Sequence, residues 1–172
     1  ISGDTIVLDL QAALTINGPI AITSGTLNTN GYTLYSYSFS TTGTLSRYIN
    51  FSNSLITIRD SLAYTTTGLN LNAGTSQLDI RFSALTLTGL TLYDVLFTGT
   101  TVSITLLGGT VHDIIVAGPS TQGFRQVTLS GGTVVNGGLK TTSTAGNRRV
   151  LFCSPDYRLN RDLVVNGVCD LT

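Results

Sequence analysis

The chain contains no glutamate, and its nine acidic residues are all aspartate. Lysine occurs once, at Lys140, and the other eight basic residues are arginine. Glu and Lys populate exposed helices, whereas Asp and Asn favour turns, so their scarcity argues against substantial helix. Only 10% of the 172 residues are charged, against about a quarter in an ordinary soluble protein. Formal net charge is zero, which gives no electrostatic reason to expect nucleic acid or an anionic membrane as partner. Mean hydropathy is positive, at +0.29, yet no apolar run approaches the roughly 18–20 residues of a membrane span.

Metal and thiol chemistry are equally sparse. His112 is the only histidine, and the two cysteines, Cys153 and Cys169, form no CxxC pair. No zinc site, other metal site or cofactor is therefore expected. The cysteines read first as two half-buried thiols on neighbouring rungs; a disulfide is possible but not required. No signal-peptide core is visible. The start at Ile-Ser-Gly-Asp and the stop within Val-Cys-Asp-Leu-Thr lead us to expect one domain, 1–172, of a larger polypeptide.

What the chain has instead is repetition. ALTLTGLTLYDVLFTG (84–99) matches SITLLGGTVHDIIVAG (103–118) at an offset of nineteen, pairing Leu87 with Leu106 and Asp94 with Asp113. VTLSGGTVVNGG (127–138) follows 104–115 at an offset of twenty-three, with Leu129 matching Leu106 and Asn136 in the place of Asp113. Each unit holds short alternating runs separated by Gly or Asn-Gly turns. Units of this kind are the coils of a parallel β-helix, each burying its apolar face only against its neighbours. The expected fold is all-β: a single-stranded right-handed β-solenoid with coils of about 19–23 residues. An antiparallel sandwich would explain the alternation but not the in-register repeats.

Asp94 and Asp113 would stack on adjacent coils. Clustered carboxylates serve as acid and base in sugar chemistry. Asn136 in the same column favours a structural turn ladder of Asp94, Asp113 and Asn136, because an amide cannot act as a base. His112 reads as an exposed turn residue. No Ser-His-Asp spacing or phosphate loop is present, and no catalytic residue is assigned. Tyr35, Tyr37 and Phe39 alternate along one strand, with Leu34 on the other face. They form a possible contact surface for glycans or subunits, or else line the bore. The Arg-rich stretch 147–163 reads as a salt-bridged turn or a subunit contact. Threonine is frequent, but an ice-binding Thr-x-Thr array fails where Leu107 follows Thr105 and Leu106.

Several segments resemble the repeat modules of phage-encoded β-helical virion proteins, also found in large bacterial surface proteins. They are Gly-Thr-Leu-Asn-Thr-Asn-Gly-Tyr-Thr-Leu (25–34), Leu-Asn-Leu-Asn-Ala-Gly-Thr-Ser (69–76), Leu-Tyr-Asp-Val-Leu-Phe-Thr-Gly (92–99) and Asn-Arg-Arg-Val-Leu-Phe-Cys-Ser (147–154). The resemblance implies a non-enzymatic virion appendage: a fibre, spike stem or capsid decoration located in the extracellular particle. Its expected partners are other copies, as a homotrimer, other virion proteins and a host-surface glycan. A bacterial adhesin or filament subunit, at the cell surface or secreted, is the alternative, and a polysaccharide depolymerase the third.

Overall fold

The computed structural model describes residues 6–82, 84–99, 103–117, 124–141, 149–153, 158–159, 163–164 and 168–171. Side chains are described for 6–82, 84–99, 105–117 and 128–140. Among these residues there is no helix, every strand pairing is parallel, and the fold is a β-solenoid. The chain forms two compact units, Ile1–Leu78 and Asp79–Thr172.

In the first unit, β1 (Val7–Asp9), β3 (Gly25–Asn28), β5 (Arg47–Asn50) and β7 (Leu69–Asn72) form one parallel ladder. A second ladder joins β2 (Leu14–Ala21), β4 (Leu34–Thr41) and β6 (Leu55–Tyr64). Alternation sends Leu27 and Ile49 inward from the first ladder and Leu34, Ile56 and Ile58 inward from the second; all five are buried. Each such side chain contributes about 1.5–3 kcal/mol on leaving water. The ladders are joined by turns closed by Tyr32, Ser54 and Ser76 N–H groups bonding the Thr29, Phe51 and Ala73 carbonyls.

The aromatic stripe does not keep one face. Tyr37 alone stands opposite Asn17 and Gly18 of β2, and opposite Arg59 and Asp60 of β6. This stacked bulge shifts the alternation by one residue. Tyr37 is exposed and Tyr35 half-buried, whereas Phe39 is buried with its ring 6.1 Å from that of Phe51. Phe39 is thus a core residue and not part of a contact surface.

β8 (Gln77–Ile80) crosses the boundary between the units. In the second unit β9 (Ala84–Thr86), β11 (Ser103–Leu107), β14 (Phe124–Ser130), β17 (Arg149–Cys153) and β20 (Val168–Leu171) form one parallel ladder. β10 (Asp94–Phe97), β13 (Asp113–Val116), β16 (Leu139–Thr141) and β19 (Leu163–Val164) form the next. Between them lies the short ladder of β12 (Thr110–Val111), β15 (Val134–Val135) and β18 (Arg158–Leu159).

The repeats stack as expected but the register differs locally. Leu85, not Leu87, pairs with Leu106, which in turn pairs with Leu129. Asp94 pairs with Asp113 at the expected nineteen residues. The corner absorbs the difference. Leu87–Leu90 is a four-residue turn closed by a Leu90 N–H bond to the Leu87 carbonyl. The next coil rounds the same corner with only Gly108 and Gly109, at φ of 67° and 78°, a conformation that suits glycine.

Asn136 is displaced for the same reason. The register is Val111 with Val135 but Ile114 with Leu139, and the Gly137 N–H bonds the His112 carbonyl. Asn136 therefore comes level with His112, and Gly138 stands beside Asp113. The expected ladder of Asp94, Asp113 and Asn136 stops at two members.

Cys169 pairs with Val150 on the strand neighbouring that of Cys153. Whether the two thiols are bonded concerns side chains outside the described residues. The salt-bridging expected in 147–163 concerns side chains outside the described residues.

Candidate functional site

Asp94 and Asp113 open β10 and β13 as register partners, so their carboxylates meet at the coil-to-coil spacing of about 4.8 Å. Both are largely buried, with side-chain exposures of 11% and 7%. Two carboxylates at that distance repel strongly unless neutralised. Two neighbours answer this. Lys140 of β16, partner of Ile115, places Nζ on Asp113 Oδ2, while the Gly138 N–H bonds Asp113 Oδ1 at 2.6 Å. His112 turns Nδ1 toward both acids, 3.1 Å from Asp94 Oδ1 and 3.6 Å from Asp113 Oδ2. Its ring stacks on Tyr93 of the previous coil, with centroids 4.3 Å apart and planes within 8°. His112 is thus a bridge between coils as well as a half-exposed turn residue.

Glycine at 137 is required here. A Cβ there would run into Asp113 Oδ1 and stand 2.6 Å from the His112 carbonyl oxygen. Burial pushes the Asp113 carboxyl up, but the Gly138 N–H and the Lys140 ammonium prevail and hold it below its ordinary 3.8. The same hydrogen bond holds Lys140 above its ordinary 10.5.

Asp79 has separate partners: the Thr98 hydroxyl donates to Oδ1 at 2.5 Å and Arg81 Nε to Oδ2 at 3.2 Å. In the first unit the exposed Tyr37 ring lies 6.0 Å beneath the Arg59 guanidinium, a cation–π contact. Tyr35 and Tyr37 are the members of the proposed contact surface that face outward.

Two polar features escaped the reading of the sequence. Asp9, Asn28, Asn50 and Asn72 are successive register partners, forming a column of four. Asn28 Nδ2 donates to Asp9 Oδ1 at 2.5 Å and Asn72 Nδ2 to Asn50 Oδ1 at 3.2 Å. The twenty-two-residue spacing of the three asparagines was the available signal. Arg47 is fully buried although it has no carboxylate partner among the described residues. Its Nη1 donates to the Thr41 carbonyl at 3.1 Å, and its Nη2 to the carbonyls of Thr65, at 3.0 Å, and Thr67. Arg47 shares the inward parity of Ile49 and Phe51, which marks it as interior.

Chemically, the Asp94–His112–Asp113–Lys140 cluster offers two carboxylates, an imidazole and an amine at one edge of three coils. It is the densest grouping of ionisable side chains among the described residues. No protein-family model, curated protein or solved structure matches the chain.

Proposed function

We propose that this solenoid is a structural element of a virion appendage, such as a fibre, spike stem or capsid decoration, assembled as a homotrimer. The observation that carries the mechanical part is the coil-to-coil stacking of like on like in both units. Backbone ladders, the asparagine column and the aliphatic bore all run in the stacking direction. Coils stacked so resist proteolysis because an interior coil does not open without breaking pairs on both sides. The resemblance of the repeat modules to phage virion proteins supports the location. The low charge of the chain favours lateral burial against other copies. Tyr35 and Tyr37, beside Arg59, are the surface proposed for contact with a host glycan or subunit.

Solution mass and the composition of gradient-purified particles test this reading. Trimer mass and a fixed copy number per particle are expected. A stable monomer at micromolar concentration that is absent from particles would overturn it in favour of a bacterial surface adhesin. Sugar release from a bacterial polysaccharide, abolished by Asp94→Asn, would make the protein a depolymerase instead.

A further inference from the structure

We infer that Asp94, His112 and Asp113 form a binding site for a divalent transition-metal ion of the zinc type, with Lys140 as its built-in competitor. One ligand atom from each of the three residues lies within 4.8 Å of the others. The His112 Nδ1 separations of 3.1 and 3.6 Å bracket the spacing of about 3.4 Å between neighbouring ligands around a tetrahedral ion with 2.0–2.2 Å bonds. Small side-chain adjustments bring all three donors onto one centre.

Charge supplies an independent argument. Two carboxylates carry two negative charges into a largely buried position, and Lys140 returns one. Among the described residues the Asp94 side chain bonds only His112, so the single Lys140 charge leaves one of the two carboxylate charges for a bound cation. Lys140 already puts an ammonium on the Asp113 oxygen that a metal would use. Its side chain is 43% exposed, so it can swing into water without breaking the core. His112 is 40% exposed, which leaves an entry path and open positions for water.

The donor set selects among ions. Calcium takes six to eight oxygens and magnesium an octahedral oxygen shell, whereas one imidazole and two carboxylates suit zinc, cobalt or manganese. Because the ligands come from two adjacent coils, the ion would fasten one coil to the next. This holds whether the solenoid serves in a virion or on a cell, so it does not depend on the reading above.

The experiment is calorimetric titration of the whole purified chain with Zn²⁺, paralleled by Co²⁺ absorption to report ligand geometry. One saturable equivalent is expected. His112→Ala and Asp94→Asn should each weaken it by about tenfold or more, since even outer partners of metal ligands are worth 10–100-fold. Lys140→Met should tighten it, a gain that misfolding cannot produce. Calcium and magnesium at the same concentrations should not compete. Absence of a saturable equivalent in both wild type and Lys140→Met overturns the proposal. So does binding that survives His112→Ala but disappears when the thiols of Cys153 and Cys169 are alkylated, which would put the ion on the cysteines.

Discussion

The two units stack polar residues in columns, but they choose different chemistry and reach different lengths. The first carries an asparagine column three coils long, ending on Asp9. The second carries two aspartates and then stops, with Gly137 and Gly138 where a third acid would stand. An amide both donates and accepts, so Asn28 bonds Asp9, Asn72 bonds Asn50, and a further coil adds no charge. A carboxylate only accepts, and every added coil adds a like charge. Among the described residues two is as far as the second unit goes, and it recruits Lys140 and His112 to hold those two.

The sharpest way to break the comparison lies in the interior of the first unit. Phe39→Ala removes a ring packed edge-on to Phe51 and should cost about 3–5 kcal/mol in denaturant unfolding. Tyr37→Ala, two residues away but outward, should cost less than about 1 kcal/mol. Equal losses would mean that the bulge at Tyr37 does not reverse the strand. Arg47→Ala should rank next, at about 3 kcal/mol, by leaving a cavity and stripping the Thr41, Thr65 and Thr67 carbonyls of their donors. Arg47→Leu copies the register partner Leu69 and should recover part of that loss.

A smaller effect tests the columns directly. Asn72→Asp puts an acceptor where the Asn column uses an amide that donates to Asn50 Oδ1. It should destabilise the first unit by about 1 kcal/mol at neutral pH and recover when the new carboxyl is protonated. Unfolding curves at pH 7 and in acid check this. No difference between them would show that the asparagines stack without using their hydrogen bonds.

The contrast between the columns also shows what the sequence discloses. Coil stacking was legible because Asp94 and Asp113, or Leu106 and Leu129, recur with their neighbours in order. Register was less legible, because corners vary in length while strands do not. Four residues turn at Leu87–Leu90 and two at Gly108–Gly109, so an ungapped comparison matches Leu87 where Leu85 belongs. A bulge such as that at Tyr37 leaves no mark in composition, and simple alternation puts Phe39 on the wrong face for that reason. The acid pair of the site was readable from the repeat. Its neutralisation was not, because Lys140 lies twenty-seven residues from Asp113 and reaches it only because β13 and β16 stack as neighbours.

The smallest effect concerns that neutralisation. Asp113→Asn keeps an oxygen for the Gly138 N–H but loses the charge facing Lys140, a cost of about 1 kcal/mol at neutral pH. The sign of its pH dependence follows from the depressed Asp113 value. The folded carboxyl holds its proton less tightly than the unfolded one, so its stabilisation is fully present above the ordinary 3.8 and fades as pH falls through the folded value. Wild type and Asp113→Asn should therefore differ at pH 6 and converge in strong acid. Lys140 gives the opposite limit. Its raised value makes its contribution complete below the ordinary 10.5 and lost as pH climbs through the folded value, so Lys140→Met should converge with wild type in alkali. Metal-free protein with chelator present is the sample for both titrations. A gap between wild type and Asp113→Asn that stays constant from pH 6 into strong acid would mean that Asp113 contributes through shape and hydrogen bonding alone, and that two stacked carboxylates need no charge to hold them.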